Sequence, residues 1–261
     1  MTKKSPLVSV IIVSYNTRQD TVKAIESVLA STGLGENEIE IVVVDNHSSD
    51  DSVAHIKSTF KDVKITANQS NLGYGGGNNL GVQNALGRYI LFLNSDAILA
   101  PNSLCVMVDE LMFDQKLISV GPQLVYLGGQ LQPSAGYLPT PSRVLAWMWW
   151  LDKLPLIKKL FRCPYHIFDL VWYQEDQNPD WIMGACIMFR REEFLQVGGF
   201  DENIFMYSEE VELYRRLKEK FGKKTLFTTK TKVTHIGSVS TKKADASRLV
   251  YELKGIFYIY Q

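Results

Sequence analysis

Four features of this chain carry side chains that could do chemistry together: Asp45, Asp96, the pair Glu209-Glu210, and His235. Asp96 closes the run Tyr89-Ile-Leu-Phe-Leu-Asn94-Ser95-Asp96. A short continuous apolar run of this kind reads as a strand buried on both faces, as in a parallel sheet covered by helices. Ligands of such sheets bind beyond the carboxyl ends of the strands. The Asp96 carboxylate would emerge there, where a hard cation bridging phosphate oxygens could use it. Taken alone, Asn94-Ser95-Asp96 fits a simple turn after a core strand equally well. Asp45 ends Ile39-Glu-Ile-Val-Val-Val in the same manner, and its carboxylate could accept a hydrogen bond from a nucleobase N–H. His235 follows a strand region over 225–233; a lone His serves both as metal ligand and as hydrogen-bonding core residue.

Tyr207-Ser-Glu209-Glu210-Val-Glu212 opens an amphipathic helix whose apolar face is Val211, Tyr214, Leu217 and Phe221. Carboxylates in a first turn complement the helix dipole, which is the purely structural account of them. The three point in different directions around the axis, so at most one or two can face a site.

The elements that must position these groups alternate. Val8-Ser-Val-Ile-Ile-Val-Ser is a β-branched first strand ending at Tyr15-Asn16, followed by a helix over 17–31 with Val22, Ile25, Val28 and Leu29 at helical spacing. A second strand leads to Asp45, then a helix over 51–60 and a short strand over 63–66. Strand–helix alternation predicts an α/β fold with a mostly parallel, Rossmann-like central sheet flanked by helices. Asn71-Leu-Gly73-Tyr-Gly-Gly-Gly-Asn78-Asn79 then runs into a helix over 80–86, and a glycine run at a helix start could present N–H groups to an anion. The structural alternative is a flexible loop. Further on come a helix over 103–113, a strand from Ile118, an irregular aromatic and Pro-rich insertion over about 128–178, and a strand from Trp181 entering a helix over 191–196. Residues 251–261 look like a helix cut short, so a longer natural chain is expected.

The composition excludes several classes. The 261 residues are 46% hydrophobic and 21% charged, with 28 residues of each sign, which suits a globular α/β chain and offers no basic field for nucleic acid. Three separated cysteines, Cys105, Cys163 and Cys186, form no metal or disulfide spacing and fit a reducing, cytoplasmic setting. No run reaches transmembrane length. Trp147, Trp149 and Trp150, followed by Leu, Ile and Lys to Phe161, suit contact with a membrane surface; a lid or core role is the alternative.

Together these pieces describe a nucleotide held at Asp45, phosphate charge at the helix start, and a divalent metal (Mg²⁺ or Mn²⁺) at Asp96 and His235. One of Glu209 and Glu210 would remove a proton from an incoming hydroxyl. A single base with a metal-stabilised leaving group describes sugar transfer with inversion, whereas two-carboxylate hydrolysis needs an acid as well.

The chain resembles family 2 glycosyltransferases of the GT-A fold, in the branch with bacterial rhamnosyltransferases of cell-surface polysaccharides. The motifs are Val10-Ile-Ile-Val-Ser-Tyr-Asn16, Val43-Val-Asp45-Asn46, Asn71 to Asn79, Leu93-Asn-Ser-Asp96, Trp181-Ile-Met-Gly184-Ala, Gly199-Phe-Asp-Glu, Glu209-Glu-Val-Glu212 and His235. The resemblance implies a single GT-A domain over 1–240, with a nucleotide-sugar half over 1–98, a metal and acceptor half over 99–240, and a helical tail over 241–261. It places Tyr15, Asn16 and Asp45 at the nucleobase, and Asn71, Gly73, Asn78, Asn94, Ser95 and Asp96 along the nucleotide and sugar. Asp96 and His235 take the metal, Trp181, Gly184 and Glu209 the acceptor side, and Glu210 the base. Two departures stand out: Asn94 replaces the first acid of the family's Asp-x-Asp motif, and Glu210 replaces the Asp of its Glu-Asp pair. The implied partners are a dTDP- or UDP-sugar and a glycan or lipid-linked acceptor at the inner membrane face. A nucleotidyltransferase and a non-catalytic sugar-nucleotide-binding module are the competing readings.

Overall fold

The computed structural model describes residues 5–151, 154, 163–237 and 245–261. Its strands are β1 (Val8–Ser14), β2 (Ile39–Asp45), β3 (Lys64–Ala67), β4 (Tyr89–Asn94), β5 (Ala97–Leu99), β6 (Leu117–Val125), β7 (Ala135–Gly136), β8 (Trp181–Ile182), β9 (Cys186–Arg190) and β10 (Lys224–His235). Its helices are α1 (Arg18–Leu29), α2 (Ser52–Thr59), α3 (Gly73–Gln83), α4 (Ser103–Phe113), α5 (Pro141–Met148), α6 (Arg191–Gln196), α7 (Glu209–Phe221) and α8 (Asp245–Ile259).

Eight strands form the central sheet in the order β3-β2-β1-β4-β9-β6-β10-β5. Successive residues of the apolar strands face opposite sides, which explains their unbroken hydrophobicity. Val10, Ile12, Val43 and Leu91 pack with Ala24, Ile25 and Val28 of α1 and Leu104 and Met107 of α4. Ile11, Val42, Val44, Ile90 and Phe92 meet Val82 of α3, Leu213 and Leu217 of α7 and Ile256 of α8 on the other side.

The mostly parallel expectation holds in part: six of the eight strands run in one direction, and β6 and β10 pair in parallel as well. β3, β2, β1 and β4 are parallel. β9, however, runs antiparallel to both β4 and β6, and β5 antiparallel to β10. The physical reason lies at residues 181–190, which the apolar pattern presents as one strand. The chain breaks there: β8 pairs with β7 in a separate two-stranded sheet, and β9 starts beside Leu93, at the end of β4. The Met183-Gly184-Ala185 connector is therefore held at the sheet edge where β4 ends, with Asn94 N donating to Ala185 O at 2.9 Å. The insertion is likewise less irregular than its composition suggests, since it contains β7 and α5. Within the tryptophan-rich stretch, residues 152–153 and 155–162 lie outside the described residues.

The glycine run also differs from its sequence reading. It does not precede a helix; it is the first half of α3. Its glycines are buried and let the helix lie against the sheet. A Cβ at Gly81 would come 2.4 Å from Ile11 Cγ2, and one at Gly77 2.9 Å from Val13 Cγ1. Those contacts are too close for any side chain, which accounts for glycine at these helical positions despite its propensity cost.

Candidate active site

The carboxyl ends of the parallel strands put the predicted donor-side residues in one line. Asp45 is in register with Ser14, and Val13 with Asn94, so Asp45, Ser14 and the Asn94–Asp96 turn follow one another across a single edge. Asp45 is buried; its Oδ2 accepts from Ser48 N at 3.0 Å, while Oδ1 has no hydrogen-bond partner among the described residues. A buried carboxylate oxygen left open in this way is costly unless a ligand N–H meets it. Tyr15 stands nearby in sequence with 49% of its surface exposed.

Several predicted residues turn out to build the edge. Asn16 adopts φ 54°, and its amide oxygen accepts from Ser49 N at 2.8 Å, tying the loop after β1 to the loop after β2. Asn71 Oδ1 accepts from Gly73 N at 2.9 Å and Asn46 Nδ2 at 3.2 Å. Asn78 is buried and donates to Tyr74 O at 3.0 Å. Gly73, at φ +72°, lies so close to the chain that a Cβ would meet Phe205 O at 2.2 Å. Ser95 accepts from Thr17 Oγ1 at 3.1 Å. In the sequence Asn46 figures only as part of the Asp45 motif, with no role, yet it is the buried hub here. It donates to Gly73 O at 2.8 Å and accepts from Asn68 at 2.8 Å. Its only sequence signal is its place directly after Asp45.

The antiparallel pairing of β5 with β10 sets His235 opposite Ala97, and this brings it to Asp96. His235 Nε2 lies 3.4 Å from Asp96 Oδ1 and 3.4 Å from Asn94 Nδ2. On the far side of the ring, Nδ1 lies 3.1 Å from Gln132 Oε1. An amide oxygen is an acceptor only, so Nδ1–H donates to Gln132, and Nε2 is the ring nitrogen that faces Asp96. That is the orientation in which an outer partner prepares a histidine for a metal. Gln132 comes from the insertion and carries no local sequence signal. No cluster of three or more His, Cys, Asp or Glu suited to a metal occurs among the described residues. One carboxylate and one imidazole nevertheless fit a cation whose remaining ligands are diphosphate oxygens and water.

Asp96, His235, Glu209 and Glu210 line one cavity of about 460 Å³, together with Trp181 and Gly184. Trp181 is anchored by its indole N–H on Tyr137 O at 3.1 Å, and Gly184 O accepts from Tyr74 Oη at 2.6 Å. α7 delivers the two glutamates from a strained start, since Tyr207 and Ser208 both have left-handed backbone, φ 65° and 70°. Such conformations persist where surrounding structure enforces them. Gly255 of α8 lies against this pair, where a Cβ would come 2.7 Å from Ser208 Cβ. Glu212 faces away and is bound by Arg216 at 2.7 and 2.8 Å, so two of the three acids reach the site.

The pair is electrostatically unequal. Burial first, and the neighbouring Glu210 charge second, hold the Glu209 carboxyl well above the ordinary glutamate range, with Glu252 adding to the effect. Glu209 thus holds its proton more tightly than an ordinary glutamate, and Glu210, the less buried of the two, is the candidate proton acceptor. Burial and the two glutamate charges also raise Tyr74, which stays a hydrogen-bond donor. Glu252 itself arrives from α8 and pairs with His166 at 2.6 Å. Neither residue belonged to any motif read from the sequence.

Comparison with known proteins bears on the fold and the family. The chain is 27% identical over 256 residues to N-acetylglucosaminyl-diphospho-decaprenol L-rhamnosyltransferase of Mycobacterium tuberculosis (strain ATCC 25618 / H37Rv), covering 89% of this chain and 78% of that one. It is 28% identical over 249 residues to the O-antigen biosynthesis protein RfbC of Myxococcus xanthus, covering 93% of this chain and 18% of that one. Among solved structures, GalNAc-T7 with UDP, GalNAc and Mn²⁺ superposes with a TM-score of 0.68 at 18% identity over 98% of this chain. The mannosyltransferase PcManGT of Pyrobaculum calidifontis, with GDP-Man and Mn²⁺, gives 0.66 at 17% identity, also over 98%. The chain spans 48% and 64% of these two structures, and the likeness establishes a GT-A-like fold. The profile of glycosyl transferase family 2 matches residues 9–198, nearly three-quarters of the sequence, and the chain therefore belongs to that family of glycosyltransferases.

Proposed function

We propose that the chain moves a sugar, rhamnose-like, from a dTDP- or UDP-linked donor to a hydroxyl of a lipid-linked glycan, with inversion at the transferred carbon. The observation that carries this reading is the single cavity that Asp96 and His235 line together with Glu209 and Glu210. Asp45 holds the nucleobase through its open oxygen. Asp96 and His235 would hold Mg²⁺ or Mn²⁺, which supplies charge stabilisation to the departing diphosphate. Glu210 takes the proton of the acceptor hydroxyl as that oxygen attacks the sugar from the face opposite the diphosphate. Glu209, its carboxyl raised by burial and by the Glu210 charge, lies beside it in the same cavity. The sugar and acceptor classes are supported by the mycobacterial relative's name.

The first test is thermal stabilisation by dTDP, UDP and their sugars, each with and without Mg²⁺ or Mn²⁺. A ligand bound to the native state raises Tm by mass action. Metal-dependent stabilisation is expected; no response to any nucleotide would remove the donor-site reading. Asp45→Asn is expected to weaken nucleotide binding about 10- to 100-fold by calorimetry, the worth of a hydrogen bond to a charged group. Unchanged affinity would take the base away from Asp45.

Work at the inner face of the cytoplasmic membrane belongs to the same proposal. Leu145, Met148, Trp149, Trp150 and Leu154 are all exposed, and aromatic residues among apolar ones suit the lipid interface. No described helix is long and apolar enough to cross a membrane. Co-flotation with phosphatidylethanolamine–phosphatidylglycerol vesicles is expected; a folded chain that stays in the dense fraction would sink this part.

A further inference from the structure

A second cavity of about 450 Å³ lies behind the first, and the two share a wall that includes His166, Trp181 and Glu252. Trp147 and Phe168 form part of its remaining lining. The wall is a stack of rings: His166 lies 5.3 Å from Trp147, 5.1 Å from Trp181 and 5.8 Å from Phe168 between centroids. One further feature is not apolar. Ser134, at 1% exposure, contributes to the lining, and its hydroxyl has no hydrogen-bond partner among the described residues. Its backbone is fully used, N–H donating to Tyr173 Oη at 2.9 Å and C=O accepting from Met183 N at 2.8 Å. The hydroxyl therefore plays no part in holding the fold.

We infer that this second cavity binds a further sugar ring of the acceptor, the one next to the sugar whose hydroxyl Glu210 activates. The inference rests on the glycan-acceptor reading above and adds a subsite to it. A pyranose has apolar C–H faces that lie on aromatic rings and a rim of hydroxyls that need partners. The cavity supplies both: rings of Trp147 and Phe168, the open hydroxyl of Ser134, and the His166–Glu252 pair at 2.6 Å. Pockets of this make-up, mostly apolar with a few placed polar groups, are ligand sites by default. A hydrocarbon chain would leave the Ser134 hydroxyl without a partner, so the apolar carrier of an acceptor is the poorer occupant. The shared wall of Trp181 and His166 sets this cavity next to the catalytic one.

The test uses the whole chain with dTDP, UDP and Mn²⁺ present. Labelled protein is titrated onto immobilised glycans, matched as monosaccharides and as disaccharides or longer. The wild type is expected to retain the longer glycans more tightly. Ser134→Ala and Phe168→Ala are each expected to weaken that retention about 3- to 10-fold, the effect of one hydrogen bond or one aromatic contact. Ser134→Ala should leave Tm unchanged or slightly raised, because the lost hydroxyl has no partner, and both variants should keep the wild-type nucleotide response. No advantage of a second ring, or no effect of either variant, overturns the subsite. Vesicle binding lost in Phe168→Ala, with no glycan retained, assigns the cavity to the lipid and overturns it too. Absence of any nucleotide response is a different failure and strikes the parent reading.

Discussion

Glu210→Gln will reduce sugar transfer by about 10²–10⁴-fold, the range a positioned general base contributes, with donor binding unchanged. The replacement is isosteric and removes the proton acceptor, so the loss should fall on kcat. Glu209→Gln is the informative partner. A carboxyl whose burial favours its protonated form loses less when an amide replaces the acid, and transfer should fall less than about 10-fold, well short of a general base's contribution. If Glu209→Gln proves the more damaging change, the base is Glu209 and the assignment reverses. The two variants also separate in stability. Folding raises the Glu209 carboxyl above the ordinary value of 4.5 through burial and the Glu210 charge. The folded chain therefore binds that proton more tightly than the unfolded chain. Its contribution is fully present below 4.5 and is lost as pH rises through the folded value. Glu209→Gln should flatten the fall of Tm above pH 4.5 and make the protein more stable than wild type at pH 8. Each kcal/mol recovered there is worth about 2–4 °C in a chain of this size. A variant that melts below wild type at pH 8 would contradict the raised carboxyl.

Asp96→Ala is expected to remove the metal-dependent part of nucleotide stabilisation. For a nucleotide at a hundred times its Kd, stabilisation is about 2.7 kcal/mol, which is roughly 5–10 °C, so the loss is easily read without any acceptor. Asp96 supplies the carboxylate at the site because Asn94 occupies the other position of the motif, and His235 alone is a weak holder for a hard cation. Gln132→Ala tests the orientation of His235. It leaves both candidate ligands in place and releases the Nδ1 contact at 3.1 Å. Losses of about 10- to 100-fold in metal affinity accompany the removal of such outer partners. A metal titration in the presence of dTDP or UDP distinguishes the two. Asp96→Ala with its full metal-dependent shift intact would move the cation elsewhere, and Gln132→Ala with wild-type metal affinity would leave the glutamine a structural role.

The sequence by itself determined the parallel β1–β4 half of the sheet and the residues at its edge. β1, β2 and β4 are continuous apolar runs because both faces are covered by helices, and each ends in the polar residues that the runs expose. Asp45 and Asp96 could be placed at one edge of the sheet from that pattern alone, since strand direction in a parallel sheet carries every such end there. The amphipathic pattern of α7 likewise showed that not all three acids could face the same way, and Glu212 does turn to Arg216.

Tertiary structure decided the rest. The apolar pattern over 181–190 could not show its break into β8 and β9, because antiparallel and parallel buried strands have the same hydrophobic signature. That break puts Gly184 beside Tyr74. The glycines of α3 read as a helix start facing an anion, while their actual cause is the distance from α3 to Ile11 and Val13. The choice between Glu209 and Glu210 is also beyond the sequence. Two adjacent glutamates have the same reference pKa, and only the burial around Glu209 separates them. Gln132, His166 and Glu252 reach the site from the insertion and α8, over 100 residues apart in the case of Gln132 and His235. No local pattern encodes such a meeting; it exists only once β5 and β10 pair and α8 packs on the start of α7.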